Sequence, residues 1–147
     1  GEIQPGSFLF MDADYAANQH DAAQPVFEHA LYVKTQVMSL SRQHAVCDAG
    51  HKAHAIDSGL PRLHALAPEQ ALRFANGGDE HGVLHPEQAA DEDGPLSHLP
   101  ALGESVWLIP GHCDPTVNLH SHYVVVRGGL AAGRVEAIAP VEARGVW

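Results

Sequence analysis

A chain of 147 residues has the length of one ordinary domain and can bury about two-thirds of the surface its unfolded form exposes. Its 45% apolar content is normal for a folded protein and too high for disorder. With 18 Asp and Glu against 8 Lys and Arg the formal charge is −10, which argues against nucleic acid and anionic membrane surfaces as partners, since both reward clustered cations.

In chain order, period-two patterning dominates. Residues 7–12 alternate and read as a first strand. Residues 30–39 are the clearest: Leu31, Val33, Thr35 and Val37 share one face, and Tyr32, Lys34, Gln36 and Met38 the other. Residues 43–48, 104–109, 122–127 and 134–138 also read as strands. Glycine breaks at Gly77-Gly78, Gly128-Gly129 and Gly133 separate segments, the last two framing a hairpin. Helical signals are few: turns can start at 68–73 and at Asp114-Pro115. The acidic, proline-bounded stretch 86–100 reads as a solvated loop or insertion. The expected fold is a single mainly β domain over 1–147, a compact barrel or sandwich with short helical turns. The apolar runs 106–109 and 123–126 are strand-length and far short of a membrane span.

Cys47 and Cys113 do not establish a disulfide, and a domain of this size does not need one. A cytoplasmic protein is the simpler expectation. The chain opens at Gly1 without a recognisable leader and reads as a processed product or a piece of something longer. Most of the 12 histidines are scattered and form no metal-buffering tract.

One stretch concentrates chemistry: "PGHCDPTVNLH", residues 110–120. After a strand that ends at Pro110, Gly111 permits a sharp turn. In extended or irregular backbone His112 and Asp114 point the same way while Cys113 faces away. Histidine plus carboxylate suits Mn²⁺, Mg²⁺, Fe²⁺ or Zn²⁺, and two protein ligands fit an open site rather than a closed structural one. The competing reading is a plain helix start, with Asp114 as N-cap and Pro115 at the first helical position. Asp79 and His81 can line a cleft or simply make a polar turn. Asp12 and Asp14 are either paired carboxylates or element-end polar residues, and His120 and His122 either join a metal cluster or flank a strand. No nucleophile elbow, P-loop or dinucleotide fingerprint is present.

Taken together, "PGSFLFMDADY" (5–15), "VCDAGHKA" (46–53), "GDEHG" (78–82), "PGHCDPTVNLH" (110–120) and "RVEAIAPVEARG" (134–145) resemble the C-terminal domain of D-threonine aldolases and the related D-serine dehydratases. These are pyridoxal-phosphate (PLP) enzymes with an alanine-racemase-like fold, an N-terminal α/β barrel followed by a β-rich domain. The resemblance implies that His112 and Asp114 hold a divalent metal. It also implies that Asp79 and His81 stand near the substrate for positioning or proton transfer. Dehydratase-type members carry Cys at the second ligand position, so Asp114 points to the aldolase branch and to Mn²⁺ or Mg²⁺ rather than Zn²⁺. The implied reaction is cleavage of a D-3-hydroxy amino acid to glycine and an aldehyde.

Departures from the family pattern are equally informative. The Schiff-base lysine belongs to the barrel, and neither Lys34 nor Lys52 lies in a matching motif, so no PLP-binding residue is assigned to this chain. Ser121 stands where the family often has Asp. The expectation is a domain that is silent alone and works with a PLP-binding barrel, in the same polypeptide or another, as a homodimer when complete. The alternatives are a D-serine-dehydratase-type domain, a stand-alone metal-binding module in which His120 and His122 complete the ligand set, and a structural or dimerisation domain in which the motif is only a turn.

Overall fold

The computed structural model describes residues 1–3, 5–64, 71–87 and 99–145. Among the described residues the strands are β1 (Val33–Leu40), β2 (Ala45–Cys47), β3 (Arg62–Leu63), β4 (Leu72–Asn76), β5 (Gly82–Pro86), β6 (Ser105–Ile109), β7 (His122–Arg127) and β8 (Arg134–Pro140). Two short helices join them, α1 (Ala13–Ala16) and α2 (Cys113–Asn118), and a 3-10 turn covers Ser7–Leu9. Six strands form one antiparallel sheet in the order β3-β6-β1-β2-β5-β4, and its outer strands β3 and β4 approach each other. The sheet is therefore curled into a nearly closed barrel, which agrees with the β-rich expectation and leaves little free edge.

The alternation read in 30–39 is the alternation observed. Val33, Thr35 and Val37 are buried and Lys34, Gln36 and Met38 are exposed. The inward face of β1 meets Ala45, Cys47, Leu72, Phe74, Leu84, Val106 and Leu108 in one core. Leu84 and Leu108 are fully buried, so truncation of either to Ala is expected to cost about 2–5 kcal/mol through lost burial and the cavity left behind. Both cysteines are buried and unpaired.

Three short strands escaped the sequence reading. β4 and β5 pair across a turn at Gly77 and Gly78, and β3 spans only two residues. Strands this short are below the length at which periodicity is diagnostic. The helical turn expected at 68–73 is overturned where it is described, since Leu72 and Arg73 belong to β4; positions 68–70 lie outside the described residues. Most of the proposed loop 86–100 also lies outside them, although Pro86 ends β5.

The first expected strand is likewise corrected. Instead of extending, 7–12 makes the 3-10 turn, and Met11 adopts a left-handed backbone (φ 52°) that redirects the chain into α1. Asp12 decides the outcome, because its carboxylate caps α1 by accepting the Tyr15 N–H at 2.9 Å.

β7 and β8 form the expected hairpin, a separate two-stranded ribbon with Val124, Val125, Val126, Val135 and Ile138 exposed. Phe10 stacks on Tyr123 (ring centroids 5.9 Å apart) and ties the ribbon's base to the N-terminal segment. No helix among the described residues is long and apolar enough to cross a membrane.

Candidate functional site

Strand β6 delivers the chain to Pro110 and Gly111, both buried. Gly111 lies so close to the backbone of Gly59 that a Cβ would collide with its carbonyl, so only glycine permits this approach. His112 then takes an extended conformation (φ −142°, ψ 128°) and is the N-cap residue of α2. The helix start read from Asp114-Pro115 is therefore real but begins two residues earlier. Asp114 sits inside the first turn, and its carboxylate is not consumed as a cap.

His112 and Asp114 line the same cavity, roughly 810 Å3, together with Asp57, Phe10, Tyr123 and Arg144. Their convergence agrees with the expectation, although its cause is a helix start rather than two residues of strand. The His112 Nδ1 lies 2.7 Å from Asp57 Oδ2. That contact holds the imidazole above its usual pKa, with burial opposing and Asp57, Asp114 and Asp12 adding field. The same hydrogen bond holds the Asp57 carboxyl below the ordinary range. Among the described residues none takes His112 Nε2. Asp114 is exposed, and one of its oxygens accepts a long 3.4 Å bond from the buried Ser7 hydroxyl. Tyr123 is shifted up, by burial first and then by Cys113 and Asp114.

Cys113, expected to face away, instead lines the same cavity, because the backbone here is helical and does not alternate, but it is only 1% exposed. Its Sγ–H donates to Met11 O at 3.5 Å. Burial, with Asp12 and Asp114 nearby, pushes its thiol up to about 12, so it offers no thiolate for metal or catalysis.

The other candidates are not gathered here. Asp79 and His81 sit on the exposed β4–β5 turn and do not line the cavity. The Asp79 carbonyl accepts the Lys52 N–H, the His81 carbonyl accepts the Gly77 N–H, and the His81 ring lies in the field of Asp48 and Glu80. His120 Nε2 is engaged with Ala53 O at 2.8 Å, and His122 is exposed on β7. Asp14 is exposed, whereas Asp12 is fully buried and structural. Lys52 pairs with Glu80 at 2.7 Å on the surface, and Lys34 lies over Trp107.

Three further residues build the site: Asp12, which the sequence paired with Asp14 or read as an element-end residue, and Thr116 and Asp57, which it did not single out. Asp12 Oδ2 accepts the Cys113 N–H at 2.9 Å, which holds the first residue of α2. Thr116, buried, accepts the Ala55 N–H at 3.1 Å and donates to His112 O at 2.7 Å. Asp57 completes the set. None has a local sequence signal, because each partner is either many residues away or defined only by a helix whose start was misplaced.

The donor set fits a divalent metal. A histidine with one ring nitrogen held and the other unclaimed, and an exposed carboxylate two residues on, share one open cavity. Among the described residues no group of three or more His, Cys, Asp or Glu side chains is placed to hold a metal ion.

Comparison with known proteins gives a consistent result. The serine dehydratase domain family matches residues 30–126. The 3-hydroxy-D-aspartate aldolase of Paracoccus denitrificans is 43% identical over 98% of this chain and 34% of its own length. The D-threonine aldolase of an Arthrobacter species is 40% identical over the same shares. Among solved structures, the D-threonine aldolase from Filomicrobium marinum superposes with a TM-score of 0.81 at 46% identity, over 97% of this chain and 35% of that one. The D-threo-3-hydroxyaspartate dehydratase from Delftia sp. HT23, at 22% identity and a TM-score of 0.59 over 77% of this chain and 32% of its own, shares the fold. The chain thus spans about a third of the length of the curated relatives it matches. With the family model covering most of the barrel and α2, this chain belongs to the serine dehydratase domain family.

Proposed function

We propose that this chain is the metal-binding C-terminal domain of a PLP-dependent lyase acting on D-3-hydroxy amino acids, most like a D-threonine aldolase. Bound PLP supplies an electron sink for the bond broken at Cα, and a divalent metal supplies Lewis acidity toward the substrate's 3-hydroxyl. The residues of this chain have narrower tasks. His112 and Asp114 hold the ion at one wall of the cavity, Mn²⁺ or Mg²⁺ suiting a nitrogen and oxygen donor pair better than a thiolate-loving metal. Phe10 and Tyr123, stacked beside them, keep that wall dry on one side. The PLP-binding lysine belongs to an N-terminal α/β barrel in the remaining two-thirds of such enzymes, and the complete protein is proposed to be a cytoplasmic homodimer.

The observation that carries this reading is the meeting of His112 and Asp114 in one cavity with the intervening Cys113 buried and its thiol donating to the Met11 carbonyl. It favours the aldolase reaction, giving glycine and an aldehyde, over a dehydratase built on a thiolate ligand. The 40–46% identity to aldolases supports the same choice. Asp79 and His81 are proposed as secondary groups, reaching substrate only where the barrel brings it to the β4–β5 turn.

Native mass spectrometry of the protein isolated gently from its source tests the assembly. A mass well above 15.7 kDa with PLP and a divalent ion is expected. A bare chain or its homodimer, carrying metal but no cofactor-bearing partner, would turn the reading to a stand-alone metal module.

A further inference from the structure

The segment 53–57 lies against α2 at three successive points. The Ala53 carbonyl accepts from His120 Nε2 at 2.8 Å, the Ala55 N–H donates to Thr116 Oγ1 at 3.1 Å, and Asp57 Oδ2 meets His112 Nδ1 at 2.7 Å. His112 at the N-cap and Thr116 are one turn apart on α2, and His120 follows just beyond its C-terminal end. Thr116 also donates to the His112 carbonyl, which fixes the backbone from which the imidazole projects. The segment is therefore braced before it presents Asp57, and the imidazole is held from both its backbone and its ring.

An ionised carboxylate only accepts hydrogen bonds, so its partner nitrogen must carry the proton. With Nδ1–H committed to Asp57, the neutral ring has its lone pair on Nε2, the nitrogen that no described residue takes. We propose that Asp57 is a positioning residue for metal binding: it fixes the tautomer and the orientation of His112 so that Nε2 faces the ion shared with Asp114. This rests on the reading of His112 and Asp114 as metal ligands, and it adds a residue 55 positions upstream that the ligand motif does not contain.

The test is direct Mn²⁺ binding to the intact protein after chelator treatment, followed by the electron paramagnetic resonance signal of free Mn²⁺. Asp57→Ala is expected to weaken affinity about 10- to 100-fold, with the melting temperature of the metal-free protein nearly unchanged because the Asp57 side chain is 50% exposed. Asp57→Asn, whose amide oxygen accepts the same Nδ1–H, recovers most of the affinity. His112→Ala removes binding. Full affinity in Asp57→Ala alongside none in His112→Ala overturns the positioning role and leaves the metal site standing. Equal losses in the Ala and Asn variants also overturn it, since charge rather than the hydrogen bond would then be the cause. Full affinity in His112→Ala overturns the metal site itself.

Discussion

The carboxylate of Asp12 accepts the backbone N–H of Cys113 at 2.9 Å while its other oxygen accepts the N–H of Tyr15 at the same distance. One fully buried side chain thus holds the N-terminal turns of two helices, and it joins the N-terminal segment to the start of α2 across 101 residues of sequence. Both oxygens must accept, which only a carboxylate can do. Asp12→Asn presents an NH₂ to one of the two N–H groups and should destabilise the fold about as much as Asp12→Ala, by roughly 2–4 kcal/mol. Urea denaturation of the two variants checks this. An Asn variant as stable as wild type would show that one of the two bonds carries nothing.

Thiol chemistry offers a second check. Cys47 is 0% and Cys113 1% exposed, so neither is open to a reagent, and the Cys113 thiol is also held at about 12, which leaves it no thiolate at neutral pH. Both should resist a thiol-alkylating reagent in the native protein and react stoichiometrically in denaturant. Rapid native labelling of Cys113, located by peptide mass mapping, would mean that the start of α2 opens readily.

Stability should also depend on pH through Asp48. Burial pushes its carboxyl up. Hydrogen bonds from Thr35 Oγ1 (2.6 Å) and the Gln36 N–H (2.8 Å), the residue's own amide and the field of His81 outweigh this and hold it below the ordinary range. A depressed folded value means that the contribution is complete above the unfolded value near 3.9 and fades as pH falls through the folded one. The side chain is solvent-exposed, so screening keeps the effect under about 1 kcal/mol. Melting curves of wild type and Asp48→Asn should differ most near neutral pH and converge in acid. Parallel curves across the acid range would remove Asp48 from the account.

Asp79 and His81 lie away from the cavity, so Asp79→Asn and His81→Ala should bind Mn²⁺ with affinity within about twofold of wild type, surface substitutions costing little. Turnover of the complete enzyme is the informative companion measurement. A fall in kcat at unchanged metal affinity would place the β4–β5 turn at the substrate, and a fall in metal affinity would contradict the geometry.

What could be read in advance follows the range of the interactions. β1 was legible because residues 33–37 alternate strictly between buried and exposed, and the alternation is physical: one side meets the core. The meeting of His112 and Asp114 in one cavity was legible because the two lie within three residues of each other. β3, β4 and β5 were not, since strands of two to five residues gain their identity from neighbours in the sheet. Asp12 looked like one of a pair with Asp14, and only the tertiary fold shows that its partner is Cys113. Asp57 stood in an unremarked loop, with nothing local to tie it to His112.

The contacts of Ala53, Ala55 and Asp57 with His120, Thr116 and His112 also set a length. Two residues from Asp57 to Ala55 answer the turn from His112 to Thr116, about 5.4 Å, and two more to Ala53 answer the step to His120 past the helix end. Adding or removing a single residue between Ala53 and Asp57 moves everything beyond it by up to about 3.6 Å, and no helical position answers a shift of that size. Insertions elsewhere on the surface can be absorbed by their own loops. Here they cannot, so this five-residue segment acts as a ruler, and natural variation in the length of this domain should avoid it.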